Sequence, residues 1–111
     1  MSYCHVKKHC LVIRLPREID HYQAEIIRKE CEIMFLKSLI RDVIFDFSNT
    51  VFMDSSGIGL ILGRVQQVHP VEGRVYLFGG TPSIEKMWEM SGVLKLVKIL
   101  STVEEVKEVY E

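Results

Sequence analysis

Two hydroxyls stand between a carboxylate and a pair of glycines in the stretch Asp54-Ser55-Ser56-Gly57-Ile58-Gly59. The run before it, Val43 to Phe47, is apolar and rich in β-branched and aromatic residues. The run after it carries apolar residues at helical steps. This pattern reads as strand, short loop and helix start. Hydroxyls at a helix start are exposed, and the backbone N–H groups there point outward with the positive end of the macrodipole.

Four chemistries fit parts of this pattern. The first is a hydrolase with Ser55 as nucleophile. Strand, serine and helix come in the right order, and Gly57 follows the elbow, but Met53 stands where a glycine should precede it and no downstream histidine is well placed. The second is a phosphate-binding loop, for which Gly57-Ile58-Gly59 is too short and lacks the lysine of a nucleotide cradle. The third is an aspartyl phosphoacceptor at Asp54. That chemistry needs Mg²⁺ held by further carboxylates, and the chain's first strands offer only Glu18 and Asp20, in a loop. The fourth is an interaction module switched by serine phosphorylation. A phosphate brings about −1.5 to −2 charges and three acceptor oxygens. A helix N-terminus tolerates it, while Asp54 beside it makes the surface strongly negative.

A second constellation lies near the start. Cys4-His5 and His9-Cys10 flank Lys7-Lys8, read as the turn between two short strands. Two cysteines and two histidines form a zinc set, but the spacing matches no zinc motif. Adjacent strand residues also point to opposite faces, so the four cannot easily converge. Buried cysteines and rim histidines are expected, with no metal and no cofactor.

The chain as a whole narrows the function. Its 111 residues fit one domain, 1–111, and 48% hydrophobic residues supply a core without staples. A net charge of −1, from 14 basic and 15 acidic side chains, gives no broad attraction to nucleic acid or anionic membrane. The cysteines, Cys4, Cys10 and Cys31, are odd in number and irregularly spaced, as expected in a reducing, cytoplasmic setting. No charged-then-apolar leader opens the chain, and no apolar run approaches a membrane span.

The elements that position the serines follow in order. Strands are expected around Val6 and over Cys10 to Leu15, then a loop from Pro16 to Tyr22. Asp20 and Gln23 form a capping-box pattern for a helix from His21 to Lys37, with Ala24, Ile27, Cys31, Met34 and Phe35 as its buried stripe. Glu25 and Lys29 pair on its outer face. After Ser55 the stripe is Ile58, Ile61, Leu62, Val65 and Val68, widened by Leu60, and Pro70 stops the helix. Gly57, Gly59 and Gly63 are poor helix formers, so either the sheet or a partner approaches the backbone there closely, or the first turn must open. A strand at Arg74 to Phe78, a helix capped by Thr81, a short strand within Val93 to Leu100 and a helix over Val103 to Tyr110 complete the chain. Ile84, Met87, Trp88 and Met90 read as core. This alternation predicts an α/β fold, a mixed, mostly parallel sheet of about five strands flanked by about four helices. Its polar site should gather where strands end, at Asp20, Asp54 to Gly57 and Gly79 to Thr81.

The serine stretch, continued by Leu60-Ile61-Leu62-Gly63-Arg64, resembles the signature of the STAS domains of anti-sigma factor antagonists. Arg14-Leu15, Glu18-Ile19-Asp20-His21, Ala24-Glu25, Pro82, Met90-Ser91-Gly92 and Lys95 extend the likeness over nearly the whole chain, most of all to the sporulation, sigma-F branch. Arg17 departs from it, standing where these proteins usually carry glycine. The resemblance implies a regulator without catalysis of its own. Its unphosphorylated form binds an anti-sigma serine kinase and frees the sigma factor. The kinase phosphorylates the serine aligned with Ser55, and a serine phosphatase reverses this. Asp54 helps recognition, and the expected contact surface is Asp20, His21, Asp54, Ser56, Gly57 and Gly59. General-stress antagonists and stress-complex scaffolds share the fold and are the alternative.

Overall fold

The computed structural model describes residues 2–111. Strand β1 (Cys4–Lys7) turns through Lys8, at φ 57°, and returns antiparallel as β2 (Cys10–Arg14). The turn is thus Lys8-His9, one residue beyond Lys7-Lys8. The expected loop from Pro16 hides a two-residue strand, β3 (Glu18–Ile19). Helix α1 (His21–Lys37) starts and stops where its cap and periodicity place it. Then come β4 (Asp42–Asp46), a second two-residue strand β5 (Phe52–Met53), and α2 (Ser55–Val68). The short loop expected between strand and serine is therefore a loop plus a strand. A 3₁₀ turn over His69–Val71 follows, with Pro70 inside it. Strand β6 (Val75–Phe78), α3 (Pro82–Ser91), a 3₁₀ turn over Val93–Lys95, β7 (Lys98–Leu100) and α4 (Val103–Tyr110) end the chain.

The main sheet has five strands in the order β1-β2-β4-β6-β7, with β1 antiparallel and the others parallel. Central β4 is covered on both faces, so Val43, Ile44 and Phe45 are fully buried in an unbroken apolar run. Asp46 ends that strand, and its carboxylate accepts from the Ser48 N–H at 2.9 Å. One face packs on α1, α2 and α3 around Leu11, Ile13, Ile27, Phe45, Ile61 and Trp88. The other, smaller layer joins Cys10, Val12, Ile44 and Leu100 to Val106, Val109 and Tyr110 of α4. The Phe47 ring meets Trp88 edge-on at 5.0 Å. Ile84 and Trp88 are core as expected, Met87 is half-buried, and Met90 is exposed. No helix among the described residues is long and apolar enough to cross a membrane.

The β1–β2 register puts Cys4 in the large core and Cys10 in the smaller layer, on opposite faces of the sheet. His9 Nδ1 lies 3.0 Å from the Leu39 carbonyl. The would-be zinc set is thus split between the two faces of the sheet.

Candidate functional site

Strands β3 and β5 pair only with each other, parallel, with Glu18 opposite Phe52 and Ile19 opposite Met53. Each strand ends in an aspartate, and each aspartate caps a helix. Asp20 accepts from the Gln23 N–H at 2.8 Å. The reciprocal half of the box is not made, because Gln23 Oε1 accepts instead from the Tyr3 hydroxyl at 3.3 Å. Asp54 accepts from the Ser56 N–H at 2.8 Å, and its own N–H donates to the Ile19 carbonyl at 3.0 Å. The ladder therefore sets the N-termini of α1 and α2 next to each other. Both positive helix ends face the same rim.

Ser55 is the first residue of α2 and is exposed; Asp54 is the cap. Its hydroxyl is thus free for chemistry, while its neighbour Ser56 is half-buried. His21 occupies the corresponding first position of α1 and is also exposed. Gly57 turns inward. A Cβ there would stand 2.3 Å from Met53 Cγ and Sδ, so any other residue would force the buried Met53 side chain to move. Gly59 and Gly63 are different. A Cβ on either meets nothing within 4 Å. Sheet packing therefore explains Gly57 and leaves the other two presenting bare backbone.

These two glycines line a groove of about 220 Å³ between α1 and α2, together with His21, Arg28, Ser56 and Arg64. Arg28 is ion-paired within α1 to Glu25 and Glu32, where Lys29 was expected as the partner of Glu25. Arg64 is the surprise. The buried face of α2 is Gly57, Leu60, Ile61, Arg64 and Val68, while Leu62, assigned to the stripe, is exposed. The helix is rotated so that a guanidinium, only 6% exposed, enters the core side. Periodicity alone treats an arginine as outward-facing and misses it.

A collar of apolar side chains surrounds the two caps. Tyr22 is 70% exposed, Phe52 51% and Val51 49%. Phe52 and Met53 alternate outward and inward, as strand residues must. The Gly79-Gly80 loop reaches the same rim but meets the β4–β5 loop, not the serine: a Cβ on Gly79 would strike Ser48 at 2.6 Å. The structure thus brings Asp20, His21, Asp54, Ser55, Ser56 and Gly59 together and leaves Gly79 to Thr81 one loop away.

Residues 4–106 match the STAS domain model. The chain is 35% identical to an anti-sigma F factor antagonist of Lysinibacillus sphaericus over 88 residues, 79% of this chain and 75% of that one. Among solved structures, it superposes on the anti-sigma factor antagonist SpoIIAA in its unphosphorylated form with a TM-score of 0.81, at 33% identity, covering 93% of this chain and 88% of that one. The Bacillus cell fate determinant SpoIIAA in its phosphorylated form gives 0.76 at 32% identity, covering 96% of each chain. With its five-stranded mixed sheet and four helices, the chain belongs to the STAS domain family, among the anti-sigma factor antagonists.

Proposed function

We propose that this protein is a phosphorylation-switched antagonist acting in the cytoplasm on an anti-sigma serine kinase, in the sigma-F pathway of sporulation. Unphosphorylated, it docks on the kinase and the sigma factor is released. Phosphorylated at Ser55, it lets go, and a serine phosphatase restores it. It is a substrate of both enzymes and catalyses neither step. The observation that carries this reading is the exposed Ser55 hydroxyl at the first position of a helix capped by Asp54.

The geometry suits a switch that leaves the fold intact. A phosphate on Ser55 would meet the positive end of α2 and the outward N–H groups of its first turn. It would also add charge beside the Asp54 carboxylate, on the surface framed by Phe52 and Tyr22. Crowding of like charge in a desolvated contact costs several kcal/mol, which is on the order of a hundredfold in affinity. Repulsion at the contact, not refolding, is the mechanism.

The test is phosphosite mapping after incubation with ATP and the cognate anti-sigma kinase, with wild type and Ser55→Ala side by side. Phosphate on Ser55 that disappears in the variant supports the switch. A tightly bound kinase that leaves Ser55 unmodified points to a scaffold role, and absence of kinase binding refutes the reading.

A further inference from the structure

Cys4 and Cys31 meet in the core, away from the serine rim. Their sulfurs are 3.7 Å apart, joining β1 to α1 across 27 residues of sequence. Both are buried, Cys31 completely. Beside Cys31 lies Arg64, whose buried Nε and Nη1 make no close hydrogen bond among the described residues. A guanidinium with two buried, unpartnered nitrogens favours a negative neighbour. The Cys31 sulfur stands beside it.

We propose that Cys4 and Cys31 form a hydroperoxide-sensitive dithiol, a modification site at which an intrachain disulfide ties the first strand to the first helix. Two features support it. A disulfide needs sulfurs at about 2.05 Å, so the pair must close by roughly 1.7 Å. Strand β1 lies at the edge of the sheet, paired there with β2, and its Cys4 N–H donates to Glu30 of α1 at 2.7 Å, which holds the two cysteines opposite each other. The two thiols also shift in opposite directions, which makes Cys31 the attacking sulfur. Donation from Cys4, followed by the charge of Arg64, holds Cys31 below the ordinary thiol range against the opposing effect of burial. Cys4 is pushed up, first by that same hydrogen bond and then by burial.

The oxidant class follows from access. The thiols lie too deep for a bulky disulfide, whereas hydrogen peroxide is small and uncharged. The Cys31 thiolate attacks a peroxide oxygen; the O–O bond breaks, and the departing hydroxide takes a proton to become water. This leaves a sulfenic acid on Cys31. Cys4 then attacks that sulfur. The S–O bond breaks, and the oxygen leaves as water with the Cys4 proton. Two electrons pass from the sulfurs to one peroxide, and two waters form.

Cys10 is an internal control. It is buried in the other layer, away from the pair, and burial followed by the Asp42 charge pushes its thiol up to about 12. The experiment titrates reduced wild-type protein with hydrogen peroxide, denatures and alkylates it, and maps peptides without reductant. The expected result is loss of two of the three thiols, a Cys4–Cys31 linked peptide and alkylated Cys10. In Cys4→Ser, dimedone added with the denaturant should instead trap a sulfenic acid on Cys31. Arg64→Met should slow the oxidation roughly tenfold, as a lost thiolate-stabilising charge requires. Oxidation of Cys10 as fast as the pair, linkage only between chains, or a pair that survives peroxide until the protein unfolds would each overturn the proposal. None of these readouts involves Ser55 or a kinase, so the dithiol and the switch stand or fall separately.

Discussion

Asp20 and Asp54 occupy equivalent places on two paired parallel strands. They cap their helices with nearly the same backbone, φ −103° and ψ −176° for one, φ −97° and ψ −174° for the other. The pairing explains why the two segments singled out by their residue types, Glu18 to His21 and Asp54 to Gly59, form one site. Each carboxylate neutralises its own helix end, and the exposed first-turn residues, His21 and Ser55, sit just beyond the caps.

The charge on Ser55 should act on binding and not on folding. Ser55→Glu is expected to weaken kinase binding by about ten- to a hundredfold, while Tm changes by no more than a few degrees. Calorimetric titration against the kinase, paired with thermal melts, checks both halves. A large loss of stability would mean that the helix start cannot carry the charge.

Capping and recognition by Asp54 can be separated. Asp54→Ala should cost about 1 kcal/mol in urea denaturation, because the Ser56 N–H loses its acceptor. Asp54→Asn keeps an acceptor and should be close to wild type in stability. If the carboxylate also takes part in recognition, Asn will still phosphorylate slowly.

The three glycines of α2 should respond in opposite directions. Gly57→Ala drives a methyl group into Met53 and should destabilise by about 1–3 kcal/mol. Gly59→Ala and Gly63→Ala enter open space and should stabilise by up to about 1 kcal/mol. If the kinase approaches the bare backbone of the groove, those same stabilised variants will bind it more weakly. Equal affinity across the set would show that the groove is not part of the contact.

The amino-terminal strand should loosen in acid. Burial raises the Glu30 carboxyl, but hydrogen bonds from Ser2 and from the Tyr3 and Cys4 N–H groups outweigh it, so the folded value lies below the ordinary 4.5. The stabilisation is therefore present above pH 4.5 and is lost as the pH falls through the lower folded value. Melts from pH 7 to pH 3 should show a steeper decline for wild type than for Glu30→Gln.

Some of this architecture could be read from residue types, and some could not. The bounds of α1 and α4 were legible because Asp20 and Thr102 are strong caps and the charged and apolar faces alternate cleanly. Both ends agree with the structure. Strands β3 and β5 were invisible: two residues contain no period, and Pro16 and Asn49 nearby suggest loop. The serine stretch was legible as a helix start. Its pairing with Asp20 as a second cap was not, since it depends on that ladder. Arg64 shows the limit most plainly. Its burial follows from which face of α2 turns inward, the face it shares with Gly57 and Ile61, and packing between elements decides that.

The β3–β5 ladder also makes the address of the serine digital. Side chains alternate along a strand, so a slip of one residue would turn Met53 to solvent, press Phe52 inward and carry Asp54 and Ser55 out of step with Asp20. The main sheet would not register the error, because its strands pair elsewhere. On the proposed function, an insertion or deletion of one residue among Phe47 to Val51 is expected to spare the main sheet and weaken partner binding. The length of that loop, fastened by the Thr50 hydroxyl to the Pro16 carbonyl at 2.8 Å, sets where the serine stands.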